Sequence, residues 1–391
     1  MARSNAALRS SSAPALPRAP AGGFLDDGTA LLDVLVGRER RRGRGALSNA
    51  SGRYEPLARV AFDDGWSALE ELPPFKTTVS VDSTRRIITR NHSPDIGFDR
   101  SINPYRGCEH GCIYCYARPT HAYLGLSPGL DFESKLLVKP EAASLLEKEL
   151  ASPEYEPRVI AIGTNTDPYQ PIERKYQVMR HILEVLDRAG HPVGIVTKSA
   201  LVLRDLDILA RMAARDLVKV ALSVTTLDAA LARRMEPRAA TPMRRLEALR
   251  RLAAAGVPTT VMVAPIIPSL NDMEIERILE AASAAGAREA GYVLLRLPLE
   301  VRDLFREWLR EHYPDRVDHV FKLVREMRGG KDYDSRWFER QRGRGPYAYL
   351  IGRRFELACR KLGLNRRRMH LTTRHFRAPK VETAQLNLFD R

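Results

Sequence analysis

The chain reads as an α/β protein built from parallel βαβ units, and three observations carry that reading. Short apolar runs recur (VIAIG, VGIVT, VKVALSV, TTVMVAPII, YVLLRL), each followed by a helical stretch. Polar residues gather just after these runs, where the loops of such a fold would collect them. Three of the four cysteines also fall within eight residues, in RGCEHGCIYCYAR. Short apolar strands alternating with helices indicate a parallel sheet covered on both faces.

Residues 1–50 are rich in Ala, Arg, Ser and Pro and carry the basic block Arg38–Arg44. They are expected to form a disordered extension, with a short helix at Leu31–Leu35. Residues 51–97 read as an irregular lead-in with a β-like Thr77–Val81. The βα alternation occupies 98–312, with a first strand near Ile102. Val159–Gly163 then precedes a helix over Arg174–Ala189, and Val193–Thr197 precedes Arg204–Ala214. Val218–Val224 leads to Pro242–Ala255, Thr259–Ile267 to Met273–Ala285, and Tyr292–Leu297 to Asp303–His312. Residues 313–380 form a basic, mainly helical C-terminal region, and 381–391 a tail. Cys359 follows the amphipathic Phe355–Ala358, which predicts a buried, inert thiol.

With 391 residues, 44% of them hydrophobic, the chain can bury a large core. No run of 18 apolar residues exists, so no membrane-spanning helix is expected. The N-terminus is Arg- and Ser-rich and free of acids, which is compatible with a transit peptide, but it lacks the apolar stretch of a secretory signal. Few cysteines suit a reducing, cytoplasmic setting. Net charge is +15, and residues 321–391 hold 19 Lys/Arg against 7 Asp/Glu. Aromatics interleave with these arginines (Trp337, Phe338, Tyr347, Tyr349, Phe376). Basic clusters with aromatics suit phosphate contact and base stacking, so nucleic acid is an expected partner.

Cys108, Cys112 and Cys115 are spaced C-x3-C-x2-C. Three thiols in one loop cannot build a disulfide scaffold, but they serve well as soft metal ligands. Two readings stand. A four-iron cluster held by three thiolates leaves one iron open to a small molecule. A structural zinc site needs a fourth ligand, for which His110 or His121 is available, although the usual second C-x2-C pair is missing.

With Tyr114 before its last cysteine, this loop resembles that of the radical S-adenosylmethionine (radical SAM) enzymes. The resemblance implies a partial (β/α)6 TIM-type barrel, which the six expected strands fit. It also implies a [4Fe-4S] cluster, S-adenosyl-L-methionine (SAM) and an electron donor such as flavodoxin or ferredoxin. Such enzymes cleave SAM to a 5′-deoxyadenosyl radical. The strand-end motifs are similar, in order, to those of the spore photoproduct lyase-like branch. That likeness implies SAM contacts at Thr166, Asp167, Lys198 and Ser223, and Glu236-Pro237 matches a further step of the branch. Tyr114 and Tyr116 match two tyrosines implicated there in a hydrogen-atom relay. The branch's hydrogen-donor cysteine is replaced by Thr164, whose O–H bond is too strong for that task.

Arg296, a lone charge in an apolar run, is a further site candidate. The last residues, Gln385–Phe389, resemble the pentapeptide that docks DNA-processing proteins on the sliding clamp. The expected function is therefore a cytoplasmic radical SAM enzyme, lyase-like, acting on nucleic acid in DNA repair or modification. The alternatives are the same chemistry on a protein or small molecule, and a non-catalytic, zinc-stabilised nucleic-acid-binding module.

Overall fold

A computed structural model of the chain describes residues 36–55 and 74–380. The expected helix at Leu31–Leu35 and the clamp motif at Gln385–Phe389 lie outside the described residues. The strands are β1 (Thr78–Val81), β2 (Ile88–Arg90), β3 (Arg100–Ile102), β4 (Tyr105–Arg106), β5 (Lys135–Val138), β6 (Ile160–Ile162), β7 (Val193–Thr197), β8 (Val218–Ser223), β9 (Thr259–Ile266) and β10 (Glu289–Leu294). The first helices are α1 (Leu130–Ser134), α2 (Ala142–Leu150), α3 (Glu173–Tyr176), α4 (Val178–Arg188), α5 (Leu206–Ala213) and α6 (Ala229–Met235). They are followed by α7 (Pro242–Ala254), α8 (Ile275–Ala284), α9 (Glu300–His312), α10 (Val317–Met327), α11 (Glu339–Arg342) and α12 (Gly345–Leu362).

Strands β3, β6, β7, β8, β9 and β10 are neighbours in that order and all parallel, with β2 antiparallel on the outer edge of β3. This is the expected α/β architecture with six parallel strands in sequence order, an open, partial barrel. Strand burial alternates or is complete, as in Val193–Thr197, because both faces of the sheet are covered. The helices bury the complementary apolar stripes, Ile182, Leu183 and Leu186 on α4 for example. The sixth strand starts and ends earlier than expected, at Glu289–Leu294. Arg296 therefore lies just past the strand, in the loop that leaves its C-terminal end.

The gap between the two sheet edges is bridged by chain. Arg340 of α11 pairs with Asp95, on the loop between β2 and β3, and Asp95 also accepts from the Phe338 amide at 3.2 Å. Helix α12 packs on α8, and the thiol of Cys359 is buried there, pushed up to about 11 by burial. No helix of the described residues is long and apolar enough to cross a membrane.

One expectation needs correction. Residues 36–50 are not disordered, because they are docked on the rest of the domain. Ala46, Leu47 and Ser48 are buried, and the Ser48 carbonyl accepts from the Leu130 amide at 3.2 Å. The basic block thus holds a small apolar anchor at its end, which its composition conceals. The basic C-terminal region is divided between the two ends of the sheet. Residues 338–341 reach the strand C-termini, whereas 365–377 run past the strand N-termini at the opposite end. There the amides of Asn365, Thr372 and Arg377 bond to the carbonyls of Arg288, Asp216 and Ala189. Gly190 (φ +60°) makes the passage possible, since a Cβ there would stand 2.2 Å from the His375 carbonyl oxygen.

Ser48 Oγ donates to the buried carboxylate of Glu307 on α9 at 2.7 Å. Burial raises the Glu307 pKa to about 7, from the ordinary 4.5. A raised carboxyl pKa means the folded state holds a proton that the unfolded state has lost. The Glu307 contribution to stability is therefore full below pH 4.5 and declines as pH rises towards 7, by up to roughly 3 kcal/mol. Urea unfolding from pH 5 to 8 should show this decline in the wild type and not in Glu307→Gln; equal slopes would exclude Glu307 as its source.

Candidate active site

The cysteine loop begins directly after β4 and is shaped by two glycines. Gly107 (φ +74°) and Gly111 (φ +65°) take left-handed conformations, and a Cβ at Gly111 would meet the Glu133 carboxylate at 2.7 Å. The Cys108 amide donates to the Phe132 carbonyl at 3.0 Å, and the Ile113 amide to Met235 at 3.0 Å. Beneath the loop lies Arg118, fully buried. Its Nε donates to the Cys112 carbonyl and its Nη1 to the carbonyls of Pro128 and Gly129, each at 3.0 Å. Its Nη2 pairs with Glu133, also fully buried, at 2.5 Å. The other acceptor sites of Glu133 take the amides of Gly45 and Ala46, both at 2.8 Å. The docked N-terminal segment thus belongs to the scaffold of the loop.

All three cysteines are free thiols, with Cys108 and Cys112 buried and Cys115 partly so. Burial pushes the Cys108 thiol well up, and the charges of Asp167, Cys112 and Cys115 add to the effect. Each histidine considered for a zinc site has one ring nitrogen engaged, and His121 Nδ1 is buried without a hydrogen-bond partner among the described residues. His110 Nδ1 faces the Asp167 carboxylate at 3.4 Å, and His121 Nε2 meets the Lys135 carbonyl at 2.8 Å. Among the described residues no three His, Cys, Asp or Glu side chains converge on one ion position.

Cys112 and Cys115 open onto a cavity of about 700 Å³ at the strand C-termini, also lined by Lys198, Ser223, Thr164 and Arg296. Its size is that of an ordinary small-molecule site. Lys198 and Ser223 stand where expected, at the ends of β7 and β8. Thr166 and Asp167 do not line the cavity. Thr166 Oγ1 donates to the Tyr105 carbonyl at 3.0 Å. The Asp167 carboxylate accepts from Thr197 Oγ1 and the Lys198 amide, both at 2.7 Å, and from the Tyr169 amide at 2.9 Å. Burial alone would raise its pKa; the His110 charge and these hydrogen bonds overcome it and hold the group at about 2. Asp167 is thereby a fixed anion that ties the cysteine loop to the loops after β6 and β7.

The two tyrosines beside Cys115 are held differently. Tyr114 is buried, and its hydroxyl donates to Glu236, whose carboxylate is paired with the buried Arg245 and also accepts from Thr225 at 2.7 Å. Lys198 Nζ lies 5.7 Å from the Tyr114 ring centre. Tyr116 is 42% exposed, and its hydroxyl donates to the Thr164 carbonyl. The Arg296 guanidinium sits 4.5 Å over its ring.

Sequence reasoning missed Asn103, at the end of β3, whose Oδ1 accepts from the amides of Asn165 (2.9 Å) and Thr166 (3.2 Å). It also missed the Arg118–Glu133 pair. Arg118 follows the cysteine run directly, but a surface charge and a buried anchor look alike in a sequence.

Comparison with known proteins agrees with this geometry. The family model "Radical SAM superfamily" matches residues 102–282. An uncharacterized protein of Mycobacterium tuberculosis is 40% identical over 230 residues, 58% of this chain and 68% of that one. The chain belongs to the radical SAM superfamily. An uncharacterized protein of Methanocaldococcus jannaschii is 28% identical over 219 residues, 56% of this chain and 78% of that one. Among solved structures, spore photoproduct lyase complexed with dinucleoside spore photoproduct aligns with a TM-score of 0.53 at 16% identity, over 73% of this chain and 80% of that one. A point mutant of the same lyase gives 0.53 at 17% identity over the same shares. At that identity the likeness establishes a shared fold, and this radical SAM chain has the fold of the spore photoproduct lyase-like branch.

The scaffold under the cysteine loop is testable by unfolding. Glu133→Ala leaves the Arg118 charge buried and two amides unpaired, and should cost roughly 3–5 kcal/mol in urea denaturation of the metal-free chain. A loss below about 1 kcal/mol would show that the pair does not hold the loop.

Proposed function

We propose that the chain is a radical SAM enzyme in which Cys108, Cys112 and Cys115 hold a [4Fe-4S] cluster and whose substrate is nucleic acid. One observation carries the cofactor assignment: the pinned cysteine loop, Lys198 and Ser223 open onto a single cavity at the strand C-terminal ends. The residues fit the group, since three free thiols on one shaped loop leave a four-iron cluster with one site for a small molecule. The bound cluster supplies one electron to SAM, giving methionine and a 5′-deoxyadenosyl radical that abstracts hydrogen from carbon.

The chain's own residues bind, orient and exclude water. Lys198 pairs with the methionyl carboxylate, and Ser223 offers a hydroxyl to the same molecule. Thr166 and Asp167 act from behind the wall, holding the Lys198 backbone and the β6 loop in place. Tyr114, fixed by Glu236, closes the cavity beside Cys115. Tyr116 is the exposed member of the pair and its hydroxyl donates to the Thr164 carbonyl, so of the two tyrosines it is the one placed to meet a substrate. Net charge and the lysines and arginines of the cavity wall support a nucleic-acid substrate and a repair or modification reaction. A reducing cytoplasm and a flavodoxin- or ferredoxin-type donor suit the cluster.

Anaerobic reconstitution with iron and sulfide, followed by dithionite and SAM, should yield 5′-deoxyadenosine, read by chromatography. Cys112→Ala should abolish it. No product from a reconstituted wild type would refute the proposal.

The tail motif Gln385–Phe389 supports docking on a DNA sliding clamp, through apolar anchors in a groove. A pull-down on purified clamp should retain the full chain and lose a chain ending at Ala384; equal retention would reject the contact.

A further inference from the structure

Among the described residues, five charged side chains line the cavity, namely Arg106, Lys139, Lys198, Arg296 and Arg340, and no carboxylate does. Two of the five are neutralised from behind. Arg106 pairs with Asp82 at 2.6 Å and Arg340 with Asp95 at 2.5 Å. Lys139 lies in the field of the same Asp82. Lys198 stands beside Tyr114 and falls to the cofactor's carboxylate. Arg296 is different. Its Nε is buried without a hydrogen-bond partner among the described residues, and its Nη2 reaches only the Tyr333 hydroxyl, at 3.4 Å. A neighbouring charge is another cation, the buried Arg328, which bonds to the carbonyls of Leu295 and Glu339.

A guanidinium is seldom left with an unpaired buried donor and no counter-charge. Stacking over Tyr116 fixes the plane of Arg296, which leaves its N–H edge as a preformed fork for an oxyanion. The two tyrosines that flank Cys115 thus each carry a cation, Lys198 over Tyr114 and Arg296 over Tyr116. One cation serves the cofactor, and the second needs an anion of another molecule. The cavity also runs into a second groove of about 800 Å³, with Asn91, Ser93, Ile96 and Phe98 common to both. Further along, Arg90, Arg100 and Arg158 are matched by Asp99, Glu154 and Glu156, and Arg158 pairs with Asp99 and Glu156. A ligand using both is longer than one nucleotide.

We infer that Arg296 is the phosphate anchor of the substrate site, gripping a backbone phosphate of a nucleic-acid strand whose neighbouring nucleotides extend into the adjoining groove past Phe98. The inference rests on the enzyme reading above and names the group that holds its substrate. Extended strand rather than packed duplex is the form that enters, because the anchor is recessed within the cavity wall.

The test uses the full chain, reconstituted anaerobically, with a fluorescein-labelled oligothymidylate read by anisotropy across a salt series. Arg296→Ala should weaken binding about tenfold and lower the slope of log affinity against log salt by about one. Arg296→Gln keeps a planar group over Tyr116 and should behave like alanine, which separates lost charge from lost packing. Arg296→Lys should fall between these variants and the wild type. SAM affinity, by equilibrium dialysis, should stay within about twofold, because its anchor is Lys198. Unchanged oligonucleotide affinity and salt slope in Arg296→Gln would overturn the inference, as would a loss confined to SAM. Thymidine monophosphate competing as well as the oligonucleotide would overturn the strand and leave a single-phosphate ligand. A wild type that binds the oligonucleotide through Arg296 but forms no cluster would sink the enzyme reading alone.

Discussion

The candidate site depends on one buried ion pair, Arg118 with Glu133. Two charges out of water are costly unless every donor and acceptor is met. Here the guanidinium is spent on Glu133 and on three carbonyls, one of them that of Cys112, and the carboxylate on two amides of residues 45–46. Three separate pieces of chain are therefore fixed by one electrostatic constraint: the cysteine loop, the segment before α1, and the N-terminal segment. An apolar substitute could fill the space, but it could not hold backbone carbonyls and amides at set positions. The pair gives the loop its shape before any metal arrives, which is what a cluster site requires of its protein.

Asp167 has the equivalent role nearer the cavity. It gathers His110, Thr197, Tyr169 and the Lys198 backbone around one carboxylate, and so transmits the position of the cysteine loop to the loops after β6 and β7. Opposite it, the Arg340–Asp95 pair ties the region after β10 to the loop before β3 and closes the side of an otherwise open sheet. The cavity is thereby bounded by ionic links rather than by a seventh parallel strand. Charge is distributed to match, with the C-terminal arginines divided between the two ends of the barrel and only those near residue 340 facing the chemistry.

The six-strand order, the cysteine triplet, Lys198 and Ser223 were legible in the sequence because each follows a local rule. Strand periodicity, ligand spacing and position after a strand all leave a signature within a few residues. Arg118, Glu133, Asn103 and the docking of Ala46–Ser48 were not legible, since they are pairings between distant segments and have no local period. Thr166 and Asp167 were found by pattern but not in their orientation: an acid at a strand end can face the cavity or brace the loop, and only packing decides. The division of the basic C-terminal region between the two ends was not legible for the same reason. Composition counts charges, while the backbone bonds of Asn365, Thr372 and Arg377 determine which end of the barrel receives them.

The central claim is that the cysteine loop holds an iron–sulfur cluster whose open iron meets SAM in this cavity. Electron paramagnetic resonance of the anaerobically reconstituted, dithionite-reduced chain, recorded as SAM is added, addresses it most directly. The account predicts a reduced-cluster signal whose g values shift with SAM in the wild type, and a weaker shift at equal SAM in Lys198→Ala. A colourless protein that retains zinc and gives no such signal, or a cluster signal indifferent to SAM, would contradict it.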